Sequence, residues 1–298
     1  MSMSQDFACR ACSARSLIKR RESRIAGELS SQNFAITDTN YGVTGAIYEC
    51  PKCGLLQCPE TDSVLPFYQA LQDTEYDAGR AERYLQASAL VRSILNAVEG
   101  SEGDRPRLLD IGAGSGVLLE AATHAGLDAT GIEPSTWLAN AGRQHGLNII
   151  EGAFPHPDAG SGYDVVTLID VIEHVTDPLE LLLSAWRVLR PGGKCLVVTP
   201  DVSSLFARVL GFKWWHYRIA HISYFDCMNL TLLMTRAGFR VCGASRPRWY
   251  FSYPYLRQRL AHYLPSWVIP PAAGPLKNLV FPLNLRDSLL LVCERVER

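Results

Sequence analysis

Leu108-Leu-Asp110-Ile-Gly112-Ala-Gly114-Ser-Gly116-Val-Leu-Leu-Glu120 reads as a buried strand, a glycine turn and the first turn of a helix. The run up to Ile111 is apolar except for Asp110. Glycines then follow at alternate positions, and apolar residues at helical spacing begin at Val117. Glycine lets a ligand lie against the backbone and tolerates positive φ in a tight turn. The helix beyond begins with unpaired N–H groups. Such a turn suits a nucleoside-bearing cofactor. The dinucleotide fingerprint spaces its glycines G-x-G-x-x-G; here the third glycine comes one residue early, and an acid precedes the first by two. From this stretch alone, a strand-to-helix turn without any ligand is the plainer alternative.

Downstream, strand, helix and loop signals alternate, the pattern of a doubly wound α/β sheet. Ala129-Thr-Gly-Ile-Glu133 is a second strand ending in an acid 23 residues after Asp110. A carboxylate there can accept both ribose hydroxyls of a nucleoside over the glycine turn. The competing role is a helix-start acid, because Pro134-Ser-Thr opens the next helix. Asn148-Ile-Ile-Glu151-Gly-Ala153-Phe154 is a third strand with its exit. Val165 to Ile169 is a fourth, buried strand with Asp170 at its carboxyl end, where open α/β sheets bind ligands. Leu189 to Pro200 supplies a turn and a fifth strand, Phe239-Arg-Val-Cys-Gly a sixth and Asp287 to Glu294 a seventh. A helix at 230–237 stops at Gly238.

Asp110-x-Gly112-x-Gly114-x-Gly116 resembles motif I of the class I S-adenosylmethionine-dependent methyltransferases. Asp170-Val-Ile-Glu173-His174-Val-Thr-Asp177-Pro178 closely resembles the corresponding run of their small-molecule members, and the Leu189 to Pro200 turn also matches. The resemblance covers 108–200, with its motifs in the family's order. It implies a Rossmann-like, seven-stranded doubly wound sheet whose last strand runs antiparallel beside the sixth. It implies S-adenosylmethionine as cofactor, held by Asp110, Gly112, Ala113, Gly114, Gly116, Glu133, Pro134, Ala153, Phe154, Asp170 and Val171, with Tyr68 and Tyr76 as aromatic residues able to close over it. The Gly-Asp-Ala often found after the third strand is missing, which puts a side-chain bond to the adenine amino group in doubt. The resemblance extends to bacterial enzymes of sugar, polysaccharide or secondary-metabolite synthesis, so the expected reaction is methyl transfer to oxygen or carbon of a small, sugar-derived or glycolipid acceptor. His174, His221 and His216 are the candidate bases. Motif position favours His174; between the other two His221 is preferred, because similar enzymes carry a histidine shortly before Tyr-Phe. His174 also suits a purely structural role at a helix start.

Cys9-Arg-Ala-Cys12 and Cys50-Pro-Lys-Cys53-Gly54 are two C-x-x-C pairs separated by 37 residues. Each offers two thiolates from one turn, together a closed tetrahedral set for a structural zinc ion. The Cys50 pair resembles a zinc-ribbon knuckle. The chain between the pairs carries β signals at Phe34-Ala-Ile-Thr and Ala46 to Cys50, and Cys58 is the rival ligand. Cys195, Cys227, Cys242 and Cys293 sit in apolar surroundings and read as core. Three units follow: a zinc-ribbon-like module at 1–60, linker and cap helices at 61–107, and the methyltransferase-like domain at 108–298 with a flap at about 250–285. Within the linker, 81–98 carries a stripe of Tyr84, Leu85, Ala89, Val91, Ile94, Leu95 and Val98, and 101–106 is a loop. In the flap, 255–264 reads as an amphipathic helix packed on the sheet edge, the alternative being a lid for a membrane-proximal acceptor.

The chain has 298 residues, 20% of them charged, and a net charge of −1. No global field favours nucleic acid, and the basic residues Lys19, Arg20, Arg21 and Arg24, and Arg246, Arg248, Arg257 and Arg259, read as solvated faces. No apolar run reaches membrane-spanning length and no signal-peptide pattern opens the sequence, so a cytoplasmic location is expected. Two alternatives stand beside the small-molecule reading: a protein or nucleic-acid methyltransferase using the zinc module for recognition, and a non-catalytic binding protein on the same fold.

Overall fold

The computed structural model describes residues 7–61, 64–74, 76, 79–98 and 105–297. The chain opens with β1 (Ile18–Arg21), β2 (Ile47–Glu49) and β3 (Leu56–Gln57), an antiparallel ribbon in that order. The strand expected at Phe34 is instead a 3-10 turn, Ser31–Phe34, closed by reciprocal hydrogen bonds between Ser30 and Asn33. Phe34 is buried and stacks on Phe67, ring centroids 4.3 Å apart. The partner of β2 is β1, Ile-Lys-Arg-Arg. Its charged, exposed edge lacks the apolar alternation by which strands are recognised, and such charge keeps an edge from recruiting further strands.

Helices α1 (Leu65–Gln69) and α2 (Arg80–Val98) follow. The buried face of α2 is Ala87, Leu90, Val91, Ile94 and Val98, at three- and four-residue steps. Leu85 and Leu95, expected in the stripe, are exposed. The face that pairs with the sheet is rotated away from them because it must lie flat on the next helix, α3, described below. Most of the expected 101–106 loop lies outside the described residues.

The rest of the chain runs through β4 (Arg107–Ile111), α3 (Val117–His124), β5 (Asp128–Glu133), α4 (Thr136–Gln144), β6 (Ile149–Glu151), β7 (Tyr163–Ile169), α5 (Pro178–Val188), β8 (Leu189–Pro200), α6 (Leu205–Leu210), β9 (Ser223–Tyr224), α7 (Cys227–Arg236), β10 (Phe239–Ser245), β11 (Trp249–Ser252), α8 (Tyr253–Leu260), β12 (Val280–Leu283) and β13 (Ser288–Arg295). Seven of the strands form one sheet, in the order β10-β13-β8-β7-β4-β5-β6. From β8 to β6 the pairs are parallel, while β13 runs antiparallel to both neighbours. This is the expected α/β architecture, with the seventh strand inserted beside the sixth. The carboxyl ends of β4, β5 and β7 converge on one edge, where strand order reverses between β4 and its two neighbours.

Short β9 leaves this sheet and pairs with β3, Leu56 opposite Tyr224, so the N-terminal ribbon gains a fourth strand from the far side of the chain. In the flap, β11 and β12 form a separate two-stranded ribbon. The helix expected at 255–264 is α8, which starts earlier because Pro254 fits its first turn. Among the cysteines expected in the core, Cys195 and Cys293 are buried, Cys227 is half-buried and Cys242 is exposed. Cys242 lies on β10, at the outer edge of the sheet, where one face has no covering helix over it.

Candidate active site

The glycine turn between β4 and α3 is shaped as the sequence requires. Gly112, Gly114 and Gly116 all take positive φ. A Cβ on Gly112 would meet Val171 Cγ2 at 2.5 Å, and one on Gly114 would meet the Tyr76 hydroxyl at 2.8 Å. Most of the turn's amides are already engaged. Those of Gly112 and Ala113 bond the Ile132 carbonyl, that of Gly116 bonds Ala113, and that of Gly114 donates to Glu133 Oε2 at 2.8 Å. A pyrophosphate needs free amides at this turn; here they are tied down and the site presents carboxylates.

Three acids define it. Asp110 on β4 is buried and accepts from the Thr167 hydroxyl at 2.7 Å. Burial pushes its carboxyl up to about 7. Glu133, at the end of β5, is also buried, and its Oε1 accepts from the Ser135 amide at 2.8 Å. Burial raises it to about 7 as well, against the lowering effect of the two amides. Asp170 follows β7 in the left-handed region, φ 52°, a conformation that costs a non-glycine residue energy and recurs at functional positions. Its surface is open to solvent in the cleft, yet the enclosing protein raises it to about 6, with His216 opposing. None of the three has a cation paired directly to it among the described residues. Ribose hydroxyls, an ammonium and a sulfonium are the donors and cations that would compensate them, so the residues present fit S-adenosylmethionine.

The other expected cofactor residues lie around these acids. Pro134 and Ser135 begin α4, the Ser135 hydroxyl capping the Leu138 amide. The Gly152 amide bonds the Glu133 carbonyl and brings Ala153 and Phe154 beside the end of β5. Tyr76 covers the glycine turn and carries Arg83 on its ring face. Tyr68 does not join it. Its hydroxyl lies 2.9 Å from His174 Nδ1, on the acceptor side.

The three histidines form a row. His174 and His221 rings are 4.8 Å apart, and His221 stacks on His216 at 5.8 Å. His174 is tethered through Nδ1 to the Ala220 carbonyl at 2.7 Å, and burial lowers its pKa to about 4. His221 is buried and likewise shifted well down, chiefly by burial, then by His174 and Arg218. His216 differs. Its Nε2 lies 3.5 Å from Asp287 Oδ2, and Asp287 is buried and accepts from Trp215 Nε1 at 3.0 Å. In the sequence Asp287 marks only the start of a strand; no local signal connects it to a histidine 71 residues earlier. Sequence reasoning also misses Glu173. Its Oε2 accepts from Thr199 at 3.0 Å, while its Oε1 and His221 Nδ1 lack hydrogen-bond partners among the described residues. Burial shifts the Glu173 carboxyl well up. Glu173, His174 and His221 bring ligand-type atoms within 4.8 Å of one another, and Asp170 lies near enough to add to the upward shift of Glu173.

A model described as a methyltransferase domain matches residues 81–242. The chain belongs to the class I S-adenosylmethionine-dependent methyltransferases. It is similar to the ubiquinone biosynthesis O-methyltransferase of Pectobacterium atrosepticum, 35% identical over 95 residues, covering 29% of this chain and 39% of that protein. It is also similar to the protein of that name from Cereibacter sphaeroides, 34% identical over 117 residues, covering 36% and 47%. The matches span less than half the length of these relatives. Among solved structures, a chain of the complex between the Haloferax volcanii Trm112 methyltransferase activator and a methyltransferase overlays with TM-score 0.50 at 15% identity, covering 75% of this chain and 97% of that one. That likeness establishes the fold. In this methyltransferase, the family motifs and the three acids lie at the same sheet edge.

The four paired cysteines also converge. Sγ of Cys9 is 3.5 Å from that of Cys53, Sγ of Cys12 is 3.5 Å from that of Cys50, and all four lie within 4.8 Å of one another. A tetrahedral zinc–thiolate centre spaces its sulfurs about 3.8 Å apart. Cys58 is not part of the cluster; it is buried with Phe34, Ile47 and Trp214.

Cofactor affinity is expected to rise with pH. Below neutrality the free protein holds Asp110 and Glu133 protonated, and a cationic, donor-rich ligand favours their ionised forms. Binding therefore releases protons, and affinity should climb from about pH 5 and level above about 7, by up to ~10-fold per pH unit for each group. Calorimetry in buffers of different ionisation enthalpy measures the released protons; pH-independent binding would mean these carboxyls do not face the cofactor. The sign for folding is opposite. The unfolded chain ionises these acids from about pH 4 while the folded one keeps them neutral to about 7, so the free protein should lose stability across that window.

Proposed function

We propose that this methyltransferase transfers a methyl group from S-adenosylmethionine to a hydroxyl of a small acceptor, with His216 as general base and Asp287 as the residue that orients it. The observation that carries the reading is the His216–Asp287 pair beside Asp170, at the sheet edge that holds the glycine turn. The bound cofactor supplies an electrophilic methyl on a positively charged sulfur. Glu133 accepts from the ribose hydroxyls, Asp110 and Asp170 face its cationic end, and Tyr76 closes over it. Asp287 keeps the proton on His216 Nε2, which leaves Nδ1 to take the acceptor hydroxyl proton as oxygen forms its bond to the methyl carbon. Glu173 Oε1 and His221 Nδ1 are buried without hydrogen-bond partners among the described residues, and they would bond further acceptor hydroxyls where an acceptor reaches them. The names of the O-methyltransferase relatives support oxygen as the atom methylated, and the polar lining with Tyr68 and Trp215 supports an acceptor with several hydroxyls, sugar-derived ones included. A screen of hydroxylated acceptors, from nucleotide sugars and glycans to dihydroxybenzenes, with product mass as readout, tests this; transfer to nitrogen alone would overturn it.

We further propose that the four-cysteine cluster holds one structural zinc ion, closed to substrate because all four positions are thiolates. The knuckles pack into a buried cluster with Leu55, Phe225 and Leu233, so the metal would add its binding energy to that packing. Elemental analysis should find one zinc per chain, and Cys50→Ser should release it and lower the melting temperature by several degrees. Full retention of zinc in that variant would mean a different ligand set. Two zinc ions per chain in the native protein would add the Glu173, His174 and His221 group as another centre, and would displace the hydrogen-bonding role given to it.

A further inference from the structure

Charge is unevenly spread along the chain. Residues 202–286 carry eleven Lys and Arg and a single acid, Asp226, although the net charge of the protein is −1. Asp226 is committed to capping α7, accepting from the amides of Met228 and Asn229 at 2.8 and 2.9 Å. The same segment exposes large apolar side chains along one rim. Leu205 and Val209, one turn apart on α6, are each 73% exposed, and Trp267 is 85% exposed. Phe212 follows α6 in a 3-10 turn, Gly211–Lys213, and Leu264 and Val268 flank Trp267. The two lobes of the rim touch. The Tyr263 hydroxyl donates to the Lys213 carbonyl at 2.8 Å, and the Trp215 ring packs edge-on to Tyr263 and tilted against Phe206. Arg208 and Lys213 are exposed on this rim, and neither has an ion-pair partner among the described residues.

We propose that this rim docks on an anionic lipid bilayer. An exposed Trp beside aliphatic side chains is suited to the boundary between headgroups and acyl chains, where its ring is half apolar and half hydrogen-bonding. Arg208 and Lys213 reach lipid phosphates with their charged ends while their stems lie along the apolar rim. Within the segment that forms the rim, the one acid, Asp226, is committed to a helix cap, so the segment itself adds little repulsion toward lipid phosphates. Nucleic acid would satisfy the charges but leave Leu205, Val209 and Trp267 in water. No described helix is long and apolar enough to cross a membrane, and the proposed contact is a surface one. Six-residue α6 is too short to anchor by itself; its two outward residues act together with the Trp267 loop. Trp215, which joins the two lobes, also donates to Asp287, so the docking face lies one side chain away from the proposed base.

The test is cosedimentation of the full chain with vesicles of phosphatidylcholine, with and without phosphatidylglycerol. Wild-type protein is expected to pellet with the anionic vesicles at low salt and less so at high salt. Val209→Ser with Trp267→Ser should abolish pelleting at either salt. Arg208→Glu with Lys213→Glu should lower the partition coefficient on the order of tenfold or more and remove most of the salt dependence. Cofactor titration of each variant serves as the folding control and should match wild type. The proposal fails if wild type stays in the supernatant, or if correctly folded variants pellet as it does. It also fails if the rim instead mediates a dimer that Trp267→Ser dissociates, or if the protein retards an RNA or DNA fragment and ignores vesicles.

Discussion

His216→Ala is expected to lower kcat by about 10²- to 10⁴-fold on an acceptor found by screening, with cofactor affinity within error of wild type. The magnitude follows from the step assigned to it. The methyl group is already activated by the positive sulfur, so alignment supplies much of the rate, and the base contributes the part that depends on removing a proton as the new bond forms. Asp287→Asn keeps the shape and an oxygen for Trp215 Nε1 but permits the wrong imidazole tautomer; it should lose less than His216→Ala, and the double variant should lose no more than His216→Ala alone, because the two act as a unit. His174→Ala separates this assignment from the one that motif position favours. His174 is tied through Nδ1 to the Ala220 carbonyl and shifted down to about 4 by burial, so its removal should raise KM or lower stability more than it lowers kcat. A His174→Ala enzyme as slow as His216→Ala, with normal stability, would move the base back to His174.

Glu133→Ala should weaken S-adenosylmethionine binding on the order of 100-fold or more while leaving the circular dichroism spectrum intact. Hydrogen bonds to an ionised acceptor contribute about 1.5–3 kcal/mol each, and the proposed role gives this carboxylate two ribose hydroxyls. It has a further duty, since its oxygens also accept from the Gly114 and Ser135 amides. Alanine leaves both amides unpaired, so part of the loss would come from a loosened turn. Glu133→Gln isolates the two: the amide oxygen can keep one backbone bond but carries no charge, and its affinity should lie between wild type and alanine. Calorimetric Kd values for the three proteins decide it, and equal affinities would remove the ribose assignment.

The sheet and the cofactor edge are legible in the sequence because they are written locally. Asp110, the three glycines and Glu133 fall within 24 residues, and each is dictated by a single turn or strand end. Pairing of the four cysteines is legible for the same reason, two per turn. The acceptor side is not. Asp287 reaches His216 only because β13 inserts next to β8 and delivers its first residues beside the loop after α6, a relation no spacing encodes. Glu173 lies inside a recognisable motif but gains meaning only when Thr199 takes one oxygen and leaves the other unmatched. The ribbon is misjudged at Phe34 because the strand that pairs with β2 is charged, and the face of α2 is misjudged because hydrophobicity marks several stripes on a helix while packing selects one. The flap's exposed leucines and Trp267 carry no periodic signal at all.

The pairing of β3 with β9 joins residues 168 positions apart, Leu56 to Tyr224. During synthesis, all four clustered cysteines emerge at least 170 residues before Ser223. The proposed zinc centre can therefore assemble before the strand that completes its sheet exists. Until residue 223 has left the ribosome, β3 presents an open edge, the kind of surface through which incomplete chains recruit one another. Closure of that edge is then a late, high-contact-order event, and it draws His221, two residues before β9, into line with the other two histidines. Chains stalled before residue 223 would thus leave β3 unpaired although their four clustered cysteines are already made.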